Sequence, residues 1–263
     1  MSFKTDFHIH SWHSDGTMGP VAIVDRYVEA DYNLIAITDH EVLGDIEEAA
    51  ELAESKNIRL IQGIELSTMH NGTELHILGY YFDTENEELL DELARLAKIR
   101  RERNKKILET LRNMGYDIND TDLKDRKSQK YIGKPNFARA LVKKGYIGNV
   151  KEAFEEGKFL EAPEIKAIPQ EKLTTEHAIG LIKNAGGIAV LAHPCKIKNL
   201  GERNSKEFQK NFQVLVKELK DMGLKGIECV YPEHSPEEEF FFINTAAKFH
   251  MHITEGSDFH GDK

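Results

Sequence analysis

Seven short apolar runs, nearly all carrying or followed by an acidic residue or a histidine, constrain this chain more than any other feature. They are Asp6–His10, Leu34–Thr38, Ile58–Glu65, Glu74–Tyr81, Gly187–Ala192, Gly226–Tyr231 and His252–Gly256. Most are β-branched and almost continuously apolar, as expected of strands buried on both faces. Helical patterns separate most of them, at Pro20–Ala30, Asp45–Ser55, Thr175–Ala185, Ser205–Met222 and Pro236–Phe249. Repeated βα units predict a parallel sheet with helices outside it. Only the third and fourth runs are joined by a short turn-like segment, "STMHNG". Seven strands in 263 residues favour an α/β barrel over an open sheet.

The segment 83–171 breaks this rhythm. It reads as a long helix, Asn86–Met114, then shorter helices near Asn136–Lys144 and Val150–Glu156. The expected organisation is a barrel formed by 1–82 and 172–263, with 83–171 as a helical insertion over its mouth.

Charge narrows the partners. The formal net charge of −10, from 45 acidic and 35 basic residues, argues against affinity for a long nucleic-acid duplex. A small anion stays open, because bound metal can reverse the local sign. Two cysteines, Cys195 and Cys229, are too few for a disulfide scaffold. No apolar run approaches the ~18 residues of a membrane span. The start, "MSFKTDFHIH", lacks a basic stretch followed by an apolar one, so a cytoplasmic protein without a signal peptide is expected.

The polar residues gather at the strand ends. His8 and His10 close the first strand, and their alternation puts both on one face. Asp39 and His40 follow the second. Glu65 closes the third, and His76 lies in the fourth. His193 follows the fifth, Glu228 lies in the sixth, and Asp258 and His260 follow the seventh. In a parallel barrel such ends converge on one mouth. Singly, each has an ordinary explanation: "TDH" can be a helix N-cap, and His13, His70, His177, His250 and His252 are read as unremarkable. Jointly, the pattern points to a polynuclear metal site. Mixed imidazole and carboxylate donors suit Zn, Fe or Mn.

The pieces "DFHIHSWHSDGT", "AITDH", "GIELS", "HILGY", "LAHP", "GIECVYPEHS" and "EGSDFHG" resemble the PHP family, the polymerase and histidinol phosphatase domain. They occur in family order across residues 6–261. The resemblance implies a distorted, seven-stranded, TIM-like (β/α) barrel holding two or three divalent ions. It implies one metal on His8, His10, Glu65 and Asp258. A second shares Glu65 and adds His76 and His193. A third takes Asp15, His40 and His260. Asp39 and Glu228 are expected behind the ligands, where acidic neighbours fix a histidine's tautomer.

Such a centre would be locally positive and would favour a multiply charged anion such as a phosphate monoester. The expected reaction is hydrolysis by a metal-bound hydroxide, with a metal-bound water, or His234 if it faces the mouth, protonating the leaving group. The segments "RRERNKKILETLRNMGYDI" and "GKPNFARALVKKGYI" resemble stand-alone PHP phosphoesterases acting on nucleoside 3′,5′-bisphosphates or on the 5′ end of short RNA. In the long helix the apolar stripe Leu89, Leu93, Leu96 resumes at Ile107, Leu108 and Leu111. Arg100, Arg103 and Asn104 occupy the gap. They either face the barrel mouth or form a solvated turn in which Glu102 pairs with Lys106. Lys134 and Arg139 are further candidates for substrate binding, with Arg103 and Lys134 also candidates at the reacting phosphate. The subgroup often reads Gly-Arg-Pro-His where this chain has Gly133-Lys134-Pro135-Asn136. Lysine there forfeits bidentate phosphate contact. Alternatives are a histidinol-phosphate phosphatase and a non-catalytic metal-binding module. The last motif lies just before Lys263, so no appended domain is expected.

Overall fold

The computed structural model describes residues 3–261 apart from 125, 127, 128 and 130. The fold is α/β with two mixed-origin sheets. Strands β1 (Thr5–Ile9), β2 (Leu34–Ile37) and β3 (Arg59–Gln62) form a parallel sheet. The second sheet has the order β6-β4-β5-β7-β8-β9. Its strands are β4 (Ile64–His70), β5 (Thr73–Tyr80), β6 (Leu173–Thr174), β7 (Ile188–Leu191), β8 (Gly226–Val230) and β9 (His252–Glu255).

The expected parallel sheet is corrected here. β5 runs antiparallel to both β4 and β7. The cause is local: Asn71 (φ 48°) and Gly72 (φ 79°) form a two-residue hairpin loop, and an Asn-Gly pair with positive φ at both positions matches the twist of the flanking strands. The third predicted strand is also divided. Gly63 separates β3 from β4, and an added Cβ there would crowd Thr38 and the Gly79 carbonyl. The register nevertheless runs on: Ile37 pairs with Gln62, and His40 bridges Glu65, both 25 positions apart. A second bridge, Ile9 to Phe259, links the first sheet to the segment after β9, with His10 N–H donating to the Phe259 carbonyl at 2.8 Å.

Helices α1 (Pro20–Glu29) and α2 (Glu47–Ser55) cover the first sheet, burying Ile23, Val24 and Ala49 against Ile35 and Ile37. Helices α6 (Thr175–Asn184), α7 (Lys206–Met222) and α8 (Pro236–Lys248) cover the second through Ile179, Phe212, Leu219 and Phe242. A small apolar cluster draws on both sheets, with Leu34, Ala36 and Ile61 against Leu78, Tyr80 and Val190.

The long helix α3 (Glu87–Asn113) starts at the Asn86 cap, whose side chain accepts the Leu89 N–H. Its first stripe, Leu89, Leu93 and Leu96, belongs to the main core. Its second, Ile107, Leu108 and Leu111, joins a separate core with α4 (Lys134–Lys143) and α5 (Pro163–Lys166). The expected helix at Val150 is a 3-10 turn, Val150–Phe154, capped by Asn149.

Candidate metal centre

Glu65 is the hub. It sits just past Gly63, fully buried, with five imidazole nitrogens around its two oxygens. Oε2 lies 3.2 Å from His8 Nε2, 3.2 Å from His10 Nε2 and 3.1 Å from His40 Nδ1. Oε1 lies 2.7 Å from His76 Nδ1 and 3.1 Å from His193 Nε2. Asp258 adds Oδ1 at 3.5 Å from His8 Nε2 and 3.2 Å from His10 Nε2. Asp15 Oδ1 lies 3.3 Å from His260 Nε2 and 3.9 Å from His10 Nδ1.

These donors form three overlapping groups: His8, His10, Glu65 and Asp258; His40, Glu65 and His76; and His10, Asp15, His40 and His260. The resemblance divides the residues slightly differently. Here His40 faces both Glu65 and Asp15, His10 also reaches the Asp15 group, and His193 meets the cluster through Glu65.

The arrangement fits cations. His8 Nε2, His10 Nε2, His40 Nδ1, Glu65 Oε2 and Asp15 Oδ1 are buried with no hydrogen-bond partner, although opposite charges lie within a few ångströms. Buried polar atoms left unbonded are costly. Close atoms that miss hydrogen-bond angles while converging on shared points are what ligands of an ion look like. The proton balance agrees. Burial disfavours protonation of His10 and His76, but neighbouring carboxylates outweigh it and push them up to about 10 and about 9. Burial would raise Glu65, yet His40, His8 and His76 hold it well below the carboxylate range. Protein alone therefore fills with protons a place built for positive charge.

Behind the donors, Glu228 faces His8 Nδ1 at 3.0 Å through Oε1 and accepts the His193 backbone N–H at 2.6 Å through Oε2. Asp39 differs from its expected place behind a histidine. It accepts the N–H and hydroxyl of Ser11 at 2.8 and 2.6 Å and the hydroxyl of Ser14 at 2.5 Å, and so shapes the loop that carries Asp15. It reaches His10 only through Ser14, whose Oγ lies 3.5 Å from Nδ1. His193 (φ 26°) and Asp258 (φ 53°) hold left-handed backbone conformations, which persist in non-glycine residues where surroundings over-determine them.

Two cavities meet at the cluster. One, of about 580 Å³, is lined by His40, Glu65, His193, Lys196, Asp258 and His260. The other, of about 290 Å³, lies under α3 and is lined by Asp15, His40, His76, Arg100, Arg103 and Lys134. The gap in the helix stripe thus faces the site, and Glu102 pairs with Lys105 rather than Lys106. The cations differ in readiness. Arg103 Nε is buried without a hydrogen-bond partner. Arg100 is engaged by Glu41 and lies 4.2 Å from the Tyr131 ring centroid. Asn104 donates to the Ile132 carbonyl at 2.9 Å and Lys134 to Glu161 at 3.0 Å, so both also hold local structure. Arg139 points at the Asp15 carbonyl, 3.5 Å away. Asn136 caps its own helix by accepting the Gly133 N–H.

His234 is a correction. It lines neither cavity but a separate one beside Asp6 and Glu255, with Nδ1 donating to the Cys229 carbonyl at 2.9 Å. Burial lowers its pKa. It does not face the mouth, because the turn before α8 folds it against Phe242, 4.8 Å between ring centroids. Sequence reasoning missed Lys196, Tyr231 and Tyr131. The only signal for Lys196 was its place three residues after His193.

Fold and site define a protein that gathers histidines and carboxylates from two sheets into one cup. The PHP domain family matches residues 6–229. The chain belongs to that family. It is 30% identical over 266 residues to the 3′,5′-nucleoside bisphosphate phosphatase of Chromobacterium violaceum, covering 97% of this chain and 86% of that one. It is 29% identical over 260 residues to a 5′-3′ exoribonuclease of Haemophilus influenzae, covering 99% and 91%. A crystal structure from Bifidobacterium adolescentis, provisionally described as a metal-dependent phosphoesterase, superposes with a TM-score of 0.82 at 27% identity, covering 99% of this chain and 89% of that one.

Proposed function

We propose that this chain is a metal-dependent phosphoesterase that hydrolyses a phosphate monoester on a small nucleotide. The candidates are a nucleoside 3′,5′-bisphosphate or the 5′ end of a short 5′-phosphorylated oligonucleotide. The observation that carries the reading is the buried set of unbonded donor atoms around Glu65. The names of two relatives, a nucleoside bisphosphate phosphatase and an exoribonuclease, support a nucleotide or RNA substrate.

His8, His10, Glu65 and Asp258 hold one cation in this reading. Glu65, His76 and His193 hold a second, with His40 beside it, and Asp15, His40 and His260 a third. Mn, Fe or Zn suits these donors. When bound, such ions lower the pKa of water and neutralise charge on phosphate oxygens. The protein's own part is placement. Arg103 offers its unbonded Nε to an anion, and Arg100 and Lys134 add charge on the same wall. We also read the two sheets as one distorted seven-stranded barrel, with β3 and β4 counted as one strand and the two-residue edge strand β6 left out of the count. The His40–Glu65 and Ile9–Phe259 bridges and the shared apolar cluster support it. Segment 83–171 is then an insertion over the mouth. We place the chain in the cytoplasm, in keeping with two free thiols. No helix among the described residues is long and apolar enough to cross a membrane.

The test, after reloading with Mn, Fe or Zn, is release of phosphate from a nucleoside 3′,5′-bisphosphate, a 5′-monophosphate and histidinol phosphate, and release of phosphate or of 5′-mononucleotides from a short 5′-phosphorylated RNA. A nucleotide substrate should be turned over fastest. Silence on all four, or a preference for histidinol phosphate, sinks this reading.

A further inference from the structure

We infer that Lys196 and Tyr231 are positioning residues that lock the Asp258 carboxylate, so that only its Oδ1 is offered to a cation beside His8 and His10. The inference rests on the metal-centre reading above.

The three residues follow three neighbouring strands: Lys196 comes after β7, Tyr231 after β8 and Asp258 after β9. Lys196 Nζ donates to Asp258 Oδ2 at 2.9 Å, and the Tyr231 hydroxyl donates to the same oxygen at 3.1 Å. The other oxygen, Oδ1, faces the two histidines. The ammonium also lies 5.0 Å from the Tyr231 ring centroid and 3.8 Å from Glu233 Oε1. A carboxylate free to rotate about its last bond could present either oxygen, or both. Two donors on one oxygen remove that freedom.

The backbone shows why a tether is needed. Asp258 is held at a left-handed φ, and so is His193, whose carbonyl accepts the Lys196 N–H at 2.9 Å. Lys196 therefore ties together two strained turns that each carry a candidate ligand. Its position argues against simple charge balance. An ammonium on the cavity wall repels a divalent ion, so if it contributed only charge its removal would tighten metal binding. A positioning residue predicts the opposite sign.

The experiment titrates the metal-free full-length chain with Co2+, by calorimetry and by the visible absorption of the bound ion. Lys196→Met should weaken the tightest Co2+ site about 10- to 100-fold, the usual cost of losing a partner behind a ligand, and should alter its absorption band. Lys196→Arg, which keeps a donor on Oδ2, should recover most of that affinity. Tyr231→Phe removes only a hydroxyl and should weaken the site in the same direction. It also carries the test should the methionine variant fail to fold, as checked by circular dichroism. Unchanged or tighter binding in folded Lys196→Met or Tyr231→Phe overturns the inference while leaving the metal centre standing. A wild-type chain that binds no Co2+ overturns both.

Discussion

Glu228 Oε1 lies 3.0 Å from Nδ1 of His8, and neither side chain has any exposure to solvent. The contact directs the imidazole's other nitrogen toward Glu65 and Asp258. Glu228→Ala should lower metal affinity about 10- to 100-fold, measured by calorimetric titration. It also frees the His193 N–H, so the loss should exceed that of Glu228→Gln, whose carbonyl can still accept one of the two bonds.

Binding should release protons. In the metal-free protein burial disfavours the charged imidazoles of His10 and His76, but Asp258 and Glu65 at His10 and Glu65 at His76 outweigh it and push their pKa values up to about 10 and about 9. Ligation needs neutral imidazole, so affinity should rise with pH between 6 and 9, and heats measured at pH 7 should vary with the buffer's ionisation enthalpy. The stability of the metal-free form runs the other way. Raised histidine pKa values stabilise it fully below their unfolded value of about 6.5, and that share disappears as pH climbs through 9 and 10. Thermal melts with chelator at pH 6 and pH 9.5 check the sign.

Arg103 and Arg100 should separate kinetically. Arg103 carries an unbonded Nε on the cavity under α3, whereas Arg100 is engaged by Glu41. Arg103→Ala should raise KM about tenfold with kcat little changed, the mark of lost uniform binding. Arg100→Ala should do less to KM and more to stability, since it leaves Glu41 without its partner. Steady-state kinetics and melting curves on both variants decide it.

Gly256 leaves no room for a side chain. A Cβ there would overlap Glu228 Oε1 and the Cβ of His8. Gly256→Ala should destabilise the fold by roughly 1–3 kcal/mol through overpacking and should also weaken metal binding. Denaturant melts report the first effect and titration the second.

Much of this was legible in the sequence, because strand period and donor type are local properties. Every expected barrel strand is present to within a residue or so, except the one that Gly63 divides. Most donors meet because strand ends converge, which needs only the order of elements, whereas Glu65 lies at the start of β4 and His76 within the antiparallel β5. Partnerships were not legible. Nothing local says that Asp39 spends its oxygens on Ser11 and Ser14, or that His234 turns away toward Phe242. Those depend on the path of turns, and turn chemistry is compatible with several paths. The antiparallel β5 was readable from the Asn71-Gly72 pair, whose hairpin signal outweighs the general βα rhythm.

The division at Gly63 has a consequence for how this molecule can be taken apart. One continuous stretch of backbone serves β2 on its first half and β5 on its second, at an unbroken offset from β2. A cut after Gln62 would strip β3 of its continuation and leave an open strand edge, which recruits foreign chains. The amino-terminal quarter is therefore no detachable module, and half-proteins made at that point should clump unless co-expressed and re-paired.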